Sequence, residues 1–207
     1  MISDLPNFDI ENELKFKLIA GIDEAGRGPL CGPVIAAAVI IPEKIQFSIL
    51  NPQFSIKITD SKKLSAKQRV AAFDWILANC YVGIGECSPA EIDEYNILQA
   101  TMIAMKRAVA ALPTSPEFVL VDGNRLPDGV NGKPVVKGDS KSLSIAAASI
   151  IAKVTRDRIM EKLHDEFPEY NWQKNAGYPT ASHLHAIKNY GINEHYRKSF
   201  SPIKDMI

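Results

Sequence analysis

Apolar residues along this chain follow two rhythms, one of strand length and one helical. Phe16 to Asp23 is rich in Leu and Ile and is followed by Gly26, Gly28 and Pro29, which predicts a strand running into a turn. Val34 to Ile41 is an unbroken apolar run stopped by Pro42, and the loops on either side predict a hairpin-like return. Residues 43 to 64 show no period and read as a polar, irregular connection. After Ser65, a favoured N-cap residue, Val70, Phe73, Ile76 and Leu77 share one face of a helix reaching about Asn79. Cys80 to Glu86 alternates as a strand. Ser88-Pro89-Ala90-Glu91 then carries the cap, first-turn proline and third-position acid of a capping box. Met102, Met105, Val109 and Leu112 place a helix from about Ile97 to Leu112, with the methionines as core packing. Phe118 to Val121 is a short apolar strand ending at Asp122.

A long helix is predicted from Ser142 to about Leu163. Its first half (Leu143, Ala146, Ala147, Ala148, Ile150, Ile151, Ala152) is small and apolar nearly all round, so it lies close against a sheet. Its second half turns charged with Lys153, Arg156, Asp157 and Arg158, and Asp157 is expected to pair with Lys or Arg. From about residue 165 the chain is polar and aromatic, with one helix from Ala181 to Asn189 capped by Thr180. Strands mixed with helices, opening on a hairpin, define an α/β domain with a mixed sheet. The expected organisation is one domain, with a core over about 15–164 and a small helical appendage over about 165–207. No repeat or low-complexity segment interrupts it.

Composition narrows the classes. The 207 residues are 46% hydrophobic and 23% charged, which excludes disordered and collagen-like chains. The 24 basic and 24 acidic residues cancel, yet their distribution is uneven. Lys57, Lys62, Lys63, Lys67 and Arg69 surround a single acid, Asp60, while Asp4, Asp9, Glu11 and Glu13 make the N-terminus acidic. A locally basic surface on a neutral protein can hold phosphates. Cys31, Cys80 and Cys87 form no CxxC pair and are odd in number, which points to a reducing compartment instead of a disulfide framework or zinc site. The N-terminus has no apolar leader, and no run approaches a membrane span. The expectation is a soluble cytoplasmic protein.

Acids at the ends of apolar strands are the candidate chemistry. Asp23-Glu24-Ala25-Gly26-Arg27-Gly28 sets two adjacent carboxylates at the end of a Leu/Ile strand, where charge must be solvated, paired or metal-bound. Neighbours on a strand point to opposite faces, so one ion takes both only if the strand bends, which the glycines permit. A solvated acidic pair at a turn explains the same residues equally well. Asp122 ends a second apolar strand. Asp139, in Lys137-Gly138-Asp139-Ser140-Lys141, precedes the buried helix, where Asp also serves as a cap. Carboxylates brought together from these three places would raise one another's pKa. Mg²⁺ or Mn²⁺ relieves that conflict, and a pair of such ions suits phosphodiester hydrolysis.

These stretches carry a resemblance. Gly21-Ile22-Asp23-Glu24-Ala25-Gly26-Arg27-Gly28-Pro29-Leu30 resembles the signature of the type 2 ribonucleases H, in particular the bacterial ribonuclease HII family. Thr59-Asp60-Ser61-Lys62-Lys63-Leu64, Val121-Asp122-Gly123-Asn124, the 137–141 stretch, Ala146 to Asp157 and Ala176-Gly177-Tyr178-Pro179-Thr180 follow in the family's order, from about residue 18 to the C-terminus. The resemblance implies a ribonuclease H-like fold and catalytic, metal-binding carboxylates at Asp23, Glu24, Asp122 and Asp139. It implies that Gly26, Arg27 and Gly28 sense a ribose 2′-hydroxyl, that Tyr178 stacks on the sugar after the ribonucleotide, and that Lys62, Lys63, Ser140 and Ser142 hold phosphates near the cut.

On this reading the protein is a monomeric endoribonuclease that uses two Mn²⁺ or Mg²⁺ ions. Asp23 and Asp122 would hold the first ion and Asp23 and Asp139 the second, with Glu24 completing the coordination. Its substrates would be RNA–DNA hybrids and single ribonucleotides in duplex DNA, cut on the 5′ side to leave a 3′-hydroxyl and a 5′-phosphate. The alternatives are a DNA-directed nuclease of the same fold and a non-catalytic nucleic-acid-binding module. Relatives bind a sliding clamp through C-terminal peptides, but Ser201 to Ile207 has no convincing clamp motif. His164, His183, His185 and His195 are read as surface or DNA-contacting residues, since His183 and His185 do not share a helical face.

Overall fold

The computed structural model describes residues 5–51 and 53–207; Asp4 of the acidic N-terminal run lies outside them. A five-stranded mixed sheet in the order β3-β2-β1-β4-β5 forms the centre. It comprises β1 (Ile19–Ala25), β2 (Val34–Ile40), β3 (Tyr81–Cys87), β4 (Phe118–Asp122) and β5 (Gly132–Val135). The hairpin partners β1, β2 and β3 are antiparallel, whereas β4 and β5 run parallel to β1. The α/β architecture with a mixed sheet is therefore the one expected. β2 is buried on both faces, which is why it reads as a continuous apolar run.

Helices cover both faces. On one lies α5 (Leu143–Glu166), with α3 (Ala66–Asn79) beside it; on the other lies α4 (Pro89–Ala110). Close packing depends on missing side chains. A Cβ at Gly21 would overlap the backbone of Ser144 and Ile145 in α5, and Cβ atoms at Gly83 and Gly85 would overlap the carbonyls of Ala108 and Ala104 in α4. Even-numbered Ala20 and Ile22 face α4, whereas Gly21 faces α5.

Four local features depart from the sequence reading. Residues 43–64 are not wholly irregular: α2 (Glu43–Ile49) follows Pro42, and a 3₁₀ turn covers Ser61–Lys63. No residue of α2 is buried, so it leaves little amphipathic signal. β5 has no apolar alternation and contains Pro134, tolerated because β5 is an edge strand. The first strand starts at Ile19 instead of Phe16, which stacks on Phe118 at 4.9 Å. A short helix, α1 (Asp9–Asn12), was also invisible to periodicity.

The Ser88 capping box forms as read, with Ser88 accepting from the Glu91 amide and Glu91 from the Ser88 amide. α4 is longer than expected and kinks at Asn96 (φ 63°), whose side chain accepts from Leu98 and Gln99 and recaps the helix where the Met pattern begins. Glu91 also pairs with Arg107 at 2.6 Å, and that hydrogen bond first of all holds its carboxyl at about 2 against an ordinary 4.5. A depressed folded pKa supplies stability above the unfolded value and loses it as pH falls toward 2. Glu91→Gln, which keeps the box but not the charge, is expected to flatten the fall in Tm between about pH 4.5 and 2. Thermal melts at stepped pH would check this.

Beyond α5 the chain forms α6 (Trp172–Asn175), α7 (Ala181–Tyr190) and short 3₁₀ turns. A separate cluster of Leu30, Met160, Tyr170, Trp172, Ile187, Tyr196 and Ile203 fastens this segment to α5 and to the turn after β1. Among the described residues, no helix is long and apolar enough to cross a membrane.

Candidate active site

Strand register assembles the carboxylates. Ile22 of β1 pairs with Val121 of the parallel neighbour β4, so Asp23 and Asp122 stand side by side where both strands end. This is where open α/β sheets offer ligand sites. Asp139 arrives through the Gly138–Ser140 3₁₀ turn before α5, and the Gly138 amide donates to Asp122 Oδ1 at 2.6 Å. Electrostatic coupling follows. Burial first, then Glu24, Asp122 and Asp139, pushes the Asp23 carboxyl well above its usual range. Asp139 is raised by burial, then by Asp122 and Asp60. Glu24 is also raised by burial, against the pull of Arg27 at 3.2 Å.

Asp23 is only 7% exposed and makes no ion pair with a Lys, Arg or His among the described residues. Its Oδ1 accepts from the Glu24 amide at 2.7 Å. A buried carboxylate beside other acids is costly unless a cation joins it. Among the described residues no three Asp, Glu, His or Cys side chains already close into a cage, so the acids share one strand edge without converging on one point.

Two clefts meet at Glu24. One, of about 190 Å³, is lined by Asp23, Glu24, the 26–28 turn, Ser61, Lys62, Ser149, Lys153, Arg156 and Tyr178. The other, of about 260 Å³, lies on the α4 side and includes Glu24, Arg27, Met102, Asp122, Asn124 and Arg125. Glu24 and Arg27 form the shared rim, which accommodates the opposite facing of Asp23 and Glu24 on β1. Tyr178 is 48% exposed, and a Cβ at Gly28 would lie 3.4 Å from its ring.

The backbone at 26–28 has a defined polarity. Gly26 has φ 94°, and the carbonyls of Gly26 and Arg27 both accept from the buried Arg197. In a trans peptide the N–H points opposite its carbonyl. The amides of Arg27 and Gly28 therefore point away from Arg197, and neither has an acceptor among the described residues. Successive free amides of this kind can donate to an anion or another acceptor.

The remaining expected contacts divide. Lys62 lines the first cleft; Lys63 is exposed but outside its lining. Ser140 donates to the Lys137 carbonyl at 2.8 Å. Ser142 is a correction: it is fully buried, caps α5 by accepting from the Ile145 amide, and donates to Glu11 at 2.6 Å, so it cannot reach a phosphate. His183 is a second correction. It is fully buried, its Nε2 accepts from Trp172 Nε1, and its Nδ1 therefore carries the proton given to the Tyr178 carbonyl at 2.9 Å. Burial holds its pKa down, consistent with that neutral ring supporting Tyr178 from beneath. His185 is exposed, while His164 and His195 are half-buried. Asp157 pairs with Lys153 and Arg69 as expected.

Residue patterns missed several groups. Ser149, within the apolar half of α5, donates to Ser61 at 2.8 Å and fastens the turn that presents Lys62. Asp60, read as the single acid in a basic stretch and as part of the 59–64 motif but given no role, stands close enough to Asp139 to raise it. Arg156 was legible as a charged helix position, but nothing marked it as buried. Arg197 left no signal at all.

The mixed five-stranded sheet flanked by helices is a ribonuclease H-like fold, and comparisons carry this further. The family described as Ribonuclease HII matches residues 20–202. Ribonuclease HII of Magnetococcus marinus is 52% identical over 195 residues, covering 92% of this chain and 88% of that protein. The Alteromonas mediterranea ribonuclease HII is 55% identical over 194 residues, covering 92% and 97%. The crystal structure of ribonuclease H2 from Pyrococcus horikoshii OT3 matches with a TM-score of 0.73 at 27% identity, covering 91% of this chain and 96% of that one. Bst-RNase HIII, solved in complex with Mn²⁺, matches with a TM-score of 0.73 at 19% identity, a likeness of fold, over 96% and 72% of the two chains. This chain belongs to the ribonuclease HII family and is a ribonuclease H.

Proposed function

We propose that this chain cuts the RNA strand of RNA–DNA hybrids, and duplex DNA on the 5′ side of single ribonucleotides, by metal-assisted hydrolysis that leaves a 3′-hydroxyl and a 5′-phosphate. The observation that carries this reading is the strand-end pairing of buried Asp23 with Asp122, to which the Gly138 amide joins the Asp139 turn. The donor set is all hard carboxylate oxygen and its buried member lacks a cationic partner, which fits Mg²⁺ or Mn²⁺. Asp23, Glu24, Asp122 and Asp139 would hold the ions. When bound, such ions activate water and stabilise the leaving oxygen.

The protein's own groups then have distinct tasks. Arg27 and Lys62, on the rim of the cleft, attract and orient the phosphates. The free amides of Arg27 and Gly28 face a ribose hydroxyl, and a glycine at 28 leaves room between the turn and Tyr178. The exposed Tyr178 ring offers an apolar face to the next sugar. Burial of Asp23 keeps water from competing for its oxygens.

The test uses an end-labelled duplex with one embedded ribonucleotide, its all-DNA counterpart and a hybrid, each with Mg²⁺, Mn²⁺ or EDTA. Cleavage is expected only of the ribonucleotide-containing duplexes, only with metal, with polymerase-extendable 3′ ends. Equal cutting of all-DNA duplex would mark a DNA-directed nuclease. Binding without any cleavage would mark a non-catalytic module.

A further inference from the structure

Two arginines lie buried behind the ribose-facing turn, and neither has a carboxylate partner among the described residues. Arg197 donates from Nη2 to the carbonyls of Gly26 and Gly32, from Nη1 to that of Arg27 at 3.0 Å, and from Nε to Gly32 at 3.0 Å. Arg156 donates from Nε to Pro33 (3.1 Å), from Nη2 to Cys31 (3.0 Å) and from Nη1 to Ala176 (3.0 Å), two residues before Tyr178. All their acceptors are main-chain carbonyls. A buried guanidinium without a direct carboxylate partner is costly, so a purely stabilising purpose would be better met by apolar packing.

We infer that Arg156 and Arg197 are positioning residues for sugar discrimination, Arg197 by turning the 26–28 amides outward and Arg156 by fixing the span between that turn and Tyr178. The inference rests on the proposed ribonucleotide reading. Arg197 dictates peptide orientation at two successive units: with both carbonyls drawn to one fork, both amides must face away from it. A rotation of either peptide would present a carbonyl to the cleft, which repels phosphate and changes what a 2′-hydroxyl meets. Arg156 ties the segment 31–33 to Ala176, while a Leu30 amide bond to Gly177 at 2.8 Å closes the same junction. A Cβ at Gly26 would overlap the Arg156 side chain, so the turn rests directly upon it. Arg197 itself is held from behind, because Asp93 of α4 accepts from the Lys198 and Ser199 amides that follow it. The planar fork is essential: a lysine keeps the charge but cannot serve three carbonyls in fixed directions.

Arg197→Lys and Arg156→Lys therefore test it. Each folded variant is assayed for kcat and KM on the single-ribonucleotide duplex. Its affinity for that duplex and for the all-DNA duplex is measured in EDTA by fluorescence anisotropy. Wild type is expected to prefer the ribonucleotide, and Arg197→Lys to lose about tenfold of that preference, the equivalent of one hydrogen bond to a charged group, with all-DNA affinity within about twofold. A general weakening that lowers both affinities equally, or an unchanged preference, overturns the inference. Should Arg197→Lys not fold, Asp93→Asn, which loosens the same segment from its outer side, must reduce the preference by a smaller factor; an unchanged preference in every folded variant is again a refutation. Wild type that does not discriminate removes the ribonucleotide reading and this inference together, whereas wild-type discrimination that the variants retain removes the inference alone.

Discussion

Asp122→Asn will lose cleavage of the single-ribonucleotide duplex by about a thousandfold or more, roughly 4 kcal/mol of transition-state stabilisation, while remaining folded. The fold should survive because an asparagine oxygen can still accept from the Gly138 amide, which joins Asp122 to the turn carrying Asp139. What disappears is negative charge at the strand edge. The same logic gives Asp23→Asn an opposite signature in stability. Without metal, Asp23 is buried, repelled by Glu24, Asp122 and Asp139, and pushed well above its usual pKa. Removing that charge is expected to raise the metal-free Tm at neutral pH by about 3 °C or more, equivalent to about 1 kcal/mol in a chain of this size. Mg²⁺ or Mn²⁺ at about 100 times its Kd should stabilise wild type by about 2.7 kcal/mol and Asp23→Asn far less. Parallel cleavage assays and thermal melts would check both; an Asp23→Asn protein that melts below wild type without metal would contradict the electrostatic account.

Gly21→Ala will destabilise the protein by about 3 kcal/mol or more, lowering Tm by about 6–12 °C. A Cβ there meets the backbone of Ser144 and Ile145, and backbone has no rotamer by which to retreat. Either β1 or α5 must move. Both carry the site, since Asp23 lies two residues along β1 and Asp139 four before α5. Denaturant unfolding of Gly21→Ala would measure the loss. Activity should fall further than the unfolded fraction explains, because sheet and helix no longer meet at the same spacing. Gly123→Ala is a useful contrast: it adds a Cβ in open space, so its cost is confined to the backbone strain of φ 98°.

Much of the architecture was legible because its signals are local. The all-apolar run of β2 announced a strand, and the alanine-rich half of α5 announced a helix pressed against a sheet. Ser65 and Ser88 marked their helices through cap chemistry that operates within four residues. α2 and β5 escaped because one is a short helix with no fully buried residue and the other is a short edge strand containing proline. Asp23, Glu24, Asp122 and Asp139 were likewise visible, each being a charge set against the end of an apolar run or the start of a buried helix.

By itself, then, the sequence determined most of the strands and helices, which acids sit at their ends, and the family to which those motifs point. Hydrophobic periodicity and capping act over a few residues, so they can be read without coordinates. Only the tertiary structure decided that Ile22 pairs with Val121 and so sets Asp23 beside Asp122, that Ser142 and His183 turn inward, and that Arg197, 170 positions after Arg27, orients its peptide. Those outcomes depend on register and on contacts between distant segments, whose geometry exists only once the chain has closed upon itself.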